Sequence, residues 1–282
     1  MAGGAVIASF QEFACAPLDA DLFARPLKLT ISERLCSMFE SMNSTGAAGP
    51  SFDSARAEMV ARQIRARGIS STRVLEAMAA VPRHLFVPAD RISAAYFDEP
   101  LPIGEGQTIS QPYVVALMVQ ALELTGSERV LDIGAGSGYQ AALLSLLARE
   151  VIAVESHPAL AAQARARLAN LGYRNVRLEL GDGSLGWRDA APFDAILVAA
   201  ASPAVPAPLI EQLAEGGRLI VPVGALDNQD LLCIRKNDGR IRQESLGGCR
   251  FVPLTGRFGW DLAAHCASDS RASSSAAVTP RP

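Results

Sequence analysis

Between residues 129 and 224 the chain alternates short apolar runs with longer helical segments. The runs "RVLDIG" (129–134), "VIAVES" (151–156), "VRLELGDG" (176–183), "FDAILVAAA" (193–201) and "RLIVPVG" (218–224) have the length and β-branched content of buried strands. Between them, "YQAALLSLLARE" (139–150), "PALAAQARARLANLG" (158–172) and "APLIEQLAEGG" (207–217) read as helices, the second stopped by Gly172 and the third by Gly216 and Gly217. Such β-α-β alternation predicts an α/β fold: a doubly wound, mostly parallel sheet with helices on both faces. In "DLLCIRKNDGRIRQESL" (230–246), Asp238-Gly239 divides two strand-like runs, which predicts a hairpin and an antiparallel finish to the sheet.

Upstream lie N-terminal helices. "AEMVARQIRARGI" (57–69) is halted by Gly68, and "STRVLEAMAAVPRHLF" (71–86) by Pro82, with a hydroxyl among residues 70–72 as its cap. From Pro112, "PYVVALMVQALEL" places Val114, Leu117, Met118, Ala121 and Leu122 on one helical stripe, with the proline where a missing N–H costs nothing. Residues 1–51 form an N-terminal extension that closes on the linker-like "SMNSTGAAGP" (41–50) and could hold a short amphipathic helix within 22–42. The predicted domain runs over 52–262. Residues 263–282 make a tail that includes the low-complexity "ASDSRASSSAAVTPRP", expected to be disordered.

Composition narrows the partners. Of 282 residues, 49% are apolar and 20% charged, and a net charge of −3 with scattered arginines leaves no electrostatic footprint for nucleic acid or an anionic membrane. Five cysteines without CxxC or zinc-like spacing read as reduced thiols, so no metal site is expected. No basic residue precedes Arg25, and no apolar run approaches the roughly 18 residues of a membrane span. The expectation is a cytoplasmic monomer.

Ligands of open α/β sheets sit beyond the C-terminal ends of the strands, and three carboxylates fall there. Asp132 precedes a Gly134-x-Gly136-x-Gly138 turn, Glu155 (followed by Ser156) ends the second strand, and Asp182 (followed by Gly183) ends the third. An aspartate before the first glycine would repel a pyrophosphate but welcome a cationic, phosphate-free cofactor, which suits S-adenosylmethionine. Glu155 could then accept from the ribose hydroxyls and Asp182 from the adenine amino group. Each carboxylate alone could equally be a helix cap.

The chain resembles the protein-L-isoaspartate O-methyltransferase family over about 52–258. The resemblance rests on "GQTISQPYVVALM", "VLDIGAGSGYQAA", "LELGDGSLGW", "PFDAILVAAA", "LIEQLAEGGRLIVPVG" and "RFVPLTG". It implies a Rossmann-like class I methyltransferase that moves the methyl of S-adenosylmethionine to the α-carboxylate of L-isoaspartyl residues in damaged proteins and peptides, leaving S-adenosylhomocysteine. The ester would then close to a succinimide, whose hydrolysis restores some normal aspartate.

The resemblance places Ser110 and Thr108 in the active site, with Gln111 beside them, and Thr255 in the wall of the cofactor pocket. The chemistry is consistent with this. An α-carboxylate of pKa roughly 3.5 arrives ionised and needs no general base, only orientation. A hydroxyl can hold it without quenching it, whereas a direct Arg or Lys clamp would favour the ground state. The competing task for Thr108 or Ser110 is to cap the helix that starts at Pro112. Two other functions compete with the main one. The first is methylation of another acceptor, against which the fourth strand end stands: it reads "VAAASPAV" rather than an Asn/Asp-Pro-Pro-aromatic motif. The second is a non-catalytic cofactor-binding homologue. The three histidines (84, 157, 265) have no G-x-S-x-G elbow to serve and read as structural or solvated, and Cys233 and Cys249 as apolar fillers.

Overall fold

The structure, a computed structural model, describes residues 51–260. The helix expected within 22–42 and the tail over 263–282 lie outside them. Helix α1 (Phe52–Glu58) starts at Ser51, whose Oγ accepts from the Ser54 N–H (3.3 Å), and runs on through a wider π-type stretch (Met59–Ile64) and a tight turn (Arg65–Arg67). It stops where predicted, at Gly68, whose φ of +98° is left-handed. Nothing crowds a Cβ at this position. Gly68→Ala should therefore cost only the backbone strain, about 1 kcal/mol, measurable as a lowered denaturant midpoint with an unchanged m-value.

Helix α2 (Thr72–Ala80) buries Val74, Leu75, Ala77 and Met78, and ends where Val81 turns extended before Pro82. A hairpin of β1 (Leu101–Gly104) and β2 (Gln107–Ile109) then leads into α3 (Pro112–Ala121). The buried stripe of α3 differs from the predicted one. Val115, Met118, Val119 and Leu122 are fully buried with Ala116, while Val114, Leu117 and Ala121 are only partly covered. With nearly every position apolar, the pattern leaves the rotational phase open. Gln120 helps to set it, its Oε1 accepting from the N–H groups of Ser70 (2.8 Å) and Ser71 (2.9 Å).

Strands β3 (Arg129–Ile133), β4 (Glu150–Glu155), β5 (Val176–Leu180) and β6 (Phe193–Val198) alternate with α4 (Tyr139–Leu147) and α5 (Pro158–Asn170). The chain finishes with α6 (Ala207–Gln212), β7 (Leu213–Gly224), β8 (Gln229–Asn237) and β9 (Arg240–Cys249). The sheet order is β5-β4-β3-β6-β7-β8-β9, parallel through β7 and antiparallel beyond it. This matches the predicted fold, including the turn at Asp238-Gly239, where both residues have positive φ (51° and 68°).

Helix α6 stops well before the predicted glycine pair. Leu213 already pairs with Phe193, and Gly216 (φ +76°) lets the strand bulge before register resumes at Ala195 and Arg218. Alternate strand residues divide between two cores. Val130, Val151, Ala153, Ala195 and Leu197 face one layer of helices, and Leu131, Ile133, Ile152, Val154, Ile196 and Val198 face the other. Among the described residues no helix is long and apolar enough to cross a membrane. The chain leaves β3 toward β4 and β5, then crosses back to β6 on the other side, so a crevice opens at the C-terminal ends of β3 and β6.

Candidate functional site

That crevice is a cleft of about 730 Å³, part of it open to solvent. Its floor is the glycine turn after β3. Gly134 and Gly136 take φ of +84° and +52°, and a Cβ on Gly136 would press against Ile103 of β1 (3.1 Å), so the hairpin packs directly over the turn. The hairpin thereby brings Thr108 and Ser110 to the same cleft as Gly134, Gly136, Glu155, Ser156, Gly183 and Thr255, all of which line it. Thr255 is carried there by 252–255, which runs beside the end of β6: Ala201 N–H donates to the Val252 carbonyl (2.8 Å) and Leu254 N–H to the Ala201 carbonyl (2.7 Å).

Four expected site residues do not line the cleft. Gly138 is the left-handed residue that opens α4, where a Cβ would crowd Leu168 (3.3 Å). Gln111 turns its amide to Asp98 Oδ2 (2.7 Å). Asp182 Oδ1 accepts from the Ser184 N–H (2.9 Å) and hydroxyl (2.6 Å), and Oδ2 from the Arg257 N–H (2.8 Å). Its geometry is that of a cap, and it ties the segment after Thr255 to the end of β5.

Asp132 lies fully buried behind the turn. Its Oδ1 accepts from Gln140 Nε2 (2.6 Å), while Oδ2 has no partner among the described residues. Burial pushes its pKa up to about 7 and the neighbouring Glu155 charge adds to this, against the pull of the Gln140 bond. Glu155 is held differently. Oε2 accepts from the Gly136 N–H (2.8 Å), and Oε1 from the His157 N–H (2.9 Å) with the His157 ring 3.0 Å away. Oε2 therefore keeps an open lone pair, whereas a second ligand hydroxyl at Oε1 would compete with the imidazole.

The cleft can be tested against the cofactor anticipated from its strand ends. None of the lining side chains is Lys or Arg, so no cationic side chain would contact a phosphate there. An orphaned carboxylate oxygen lies behind a positive-φ glycine turn, and a second carboxylate lines the wall. That donor set fits a cationic, phosphate-free ligand with vicinal hydroxyls.

Position 110 carries the acceptor question. The helix-cap task that competed for Thr108 and Ser110 is performed by another residue: Asp98 Oδ1 accepts from the Tyr113 N–H (3.2 Å) in the first turn of α3, and Oδ2 takes the Gln111 amide. The Ser110 carbonyl accepts from Arg83 Nη2 (2.9 Å), and among the described residues its hydroxyl makes no hydrogen bond. Asp98 and Arg83 were not singled out in the sequence because their role depends on contacts 12 to 27 positions away. Gln140 had a signal, since the first turn of a helix following a β-strand folds back over that strand's end. His157, read as structural or solvated, puts its ring at the cleft. His84 does not: it stacks on Phe52 (4.1 Å between ring centroids) and meets the Tyr96 hydroxyl (2.7 Å), and burial, aided by Arg56, lowers its pKa. Cys233 is buried in the sheet, as expected of a filler.

Residues 54–259 match the model of the family described as protein-L-isoaspartate(D-aspartate) O-methyltransferase. A protein-L-isoaspartate O-methyltransferase of Methanoculleus marisnigri is 56% identical over 205 residues, 73% of this chain and 93% of that protein. One from Trichlorobacter lovleyi is 57% identical over 212 residues, 75% and 98% of the two chains. A solved structure of a protein-L-isoaspartate O-methyltransferase superposes with a TM-score of 0.66 at 30% identity, covering 72% of this chain and 67% of the other.

Proposed function

This chain belongs to the protein-L-isoaspartate O-methyltransferase family, and from that premise we propose that Ser110, with Thr108, seats the acceptor carboxylate while the strand ends seat the cofactor. The enzyme is an S-adenosylmethionine-dependent repair methyltransferase acting on L-isoaspartyl residues of damaged proteins and peptides. When bound, S-adenosylmethionine supplies the electrophilic methyl group. The protein's own contribution is to hold and aim. Glu155 and Asp132 would serve the ribose hydroxyls and the ammonium group, with Gly134, Gly136, Ser156, Gly183 and Thr255 shaping the pocket around them. Gly138, Gln111 and Asp182 act one layer behind by fixing the turn, the hairpin end and the 252–258 segment.

The acceptor arrives charged, so no lining group has to remove a proton. A hydroxyl at 110 donates one hydrogen bond to one carboxylate oxygen and leaves the other free to attack. The observation that carries this reading is that Asp98 caps α3, leaving the Ser110 hydroxyl uncommitted in the cleft wall. Ser110→Ala should lower kcat/KM on an isoaspartyl peptide by roughly 10- to 100-fold, the worth of one hydrogen bond to a charged group, with the Kd for S-adenosylhomocysteine unchanged. Full retention of kcat/KM would remove Ser110 from this role.

We take 52–262 as the methyltransferase domain, with 1–51 and 263–282 as appendages to it, supported by the family match over 54–259. We read the chain as a cytoplasmic monomer, and the net charge of −3 with scattered arginines supports the absence of nucleic-acid or anionic-membrane partners.

A further inference from the structure

We propose that Arg83 is a positioning residue for the acceptor carboxylate: it fixes Ser110 from behind the cleft wall and gives that wall a buried positive charge. The inference rests on the assignment of Ser110 to the acceptor. Arg83 opens the short turn Arg83–Phe86 and is completely buried. Its guanidinium is held only by neutral groups. Nε donates to the Ala95 carbonyl (2.8 Å) and Nη2 to the Ser110 carbonyl (2.9 Å), while the charged carbon lies 4.9 Å from the centre of the Tyr139 ring. Nη1 is buried and has no partner among the described residues. No carboxylate among them comes within ion-pair range, and Asp98, whose charge Arg83 feels, is already paired with Arg67.

Burying a guanidinium without a counter-ion is costly, and a tie between two carbonyls asks only for a neutral donor such as an amide. A cation kept at this cost is explained if an anion visits. Ser110 and Tyr139 both line the cleft and both touch Arg83, so the charge stands directly behind the wall where an isoaspartyl carboxylate has to lie. In this poorly screened interior its attraction extends beyond contact distance. Because the wall separates them, Arg83 draws the carboxylate in without capping the oxygen that attacks, which a direct clamp would do. The hydrogen bond to the Ser110 carbonyl also sets the backbone that carries the hydroxyl.

The test uses the full chain with an isoaspartyl peptide and, separately, S-adenosylhomocysteine binding by calorimetry. Arg83→Gln keeps donors but removes the charge, and Arg83→Lys keeps the charge but loses the fork. Arg83→Gln should raise the peptide KM roughly 10- to 30-fold, in the range of one charge-assisted interaction, with Kd for S-adenosylhomocysteine within about twofold of wild type. Arg83→Lys should recover most of that rise, leaving a KM a few-fold above wild type. The assignment is overturned if Arg83→Gln leaves KM within about twofold, if Lys does no better than Gln, or if Kd and KM rise together, the mark of a merely structural residue. Where Arg83→Gln does not fold, Arg83→Lys and Arg83→Met are compared: a KM well above that of Lys in the Met variant, with unchanged Kd in both, supports the role, and equal KM in the two, or Kd rising with KM, ends it. Ser110→Ala measured alongside separates the two ideas. Lost activity there with a silent Arg83→Gln refutes Arg83 alone, whereas full activity in Ser110→Ala refutes the site assignment itself.

Discussion

Asp132→Asn should raise the melting temperature of the ligand-free enzyme at pH 8 and weaken its hold on S-adenosylhomocysteine. On the proposed cofactor seat the two effects share one cause, a buried carboxylate charge that only a bound ammonium would compensate. Its pKa is pushed from 3.8 to about 7 in the folded protein, so between those values the folded chain binds more protons than the unfolded one. Stability of the ligand-free enzyme therefore falls as pH rises through that window, and the penalty is complete above about pH 7.

Three pK units correspond to an upper bound of about 4 kcal/mol, reduced because the new amide places an N–H₂ where Oδ2 now stands unpaired. A rise of about 3 °C or more at pH 8, vanishing near pH 4, is the expected thermal signature. The ligand reverses the sign. On the proposed seat, a ligand α-ammonium across the glycine turn from Asp132 would favour its charged form, so wild-type affinity should climb with pH toward 7. The variant should bind roughly 10- to 100-fold more weakly at pH 8 and show no such climb, as calorimetry across the range would reveal. A variant that melts lower at pH 8 and binds as tightly as wild type would contradict both halves.

Glu155→Ala should lose stability and affinity together. This carboxylate is not idle in the empty enzyme, because it accepts from the Gly136 and His157 N–H groups and so shapes the glycine turn. Removing it strands two partly buried donors, at about 1 to 3 kcal/mol in denaturant unfolding. It would also delete the acceptor proposed for the ribose hydroxyls, so Kd for S-adenosylhomocysteine should rise about 100-fold or more. Glu155→Gln separates the two. The amide oxygen can keep one backbone donor, so most of the stability should return while affinity stays low. Equal recovery of both would mean that Glu155 acts only by shaping the turn.

The contrast between these neighbouring carboxylates could not be read from the chain. Both stand at strand ends on the sequence pattern, yet one is paired by backbone and imidazole while the other keeps a bare oxygen. What decides between them is which donors the glycine turn and the first turn of α4 happen to present. The same holds at position 110. The sequence left Ser110 poised between capping α3 and touching a ligand, and Asp98, from a loop twelve residues upstream, takes the cap. Arg83 gave no signal at all, because a lone arginine before a turn is ordinary until its neighbours are known.

Alternation of strand and helix, the placement of carboxylates and glycines after strands, and the Asp238-Gly239 turn were determined by the chain alone. These follow from local rules: side-chain period, backbone φ and the chirality of β-α-β connections. The phase of α3, the early end of α6, the partners of Asp132, Glu155 and Asp182, and the buried charge behind Ser110 were decided only by the tertiary structure. Hydrogen bonding and desolvation depend on groups distant in sequence, which come together only when the sheet and hairpin close over the cleft.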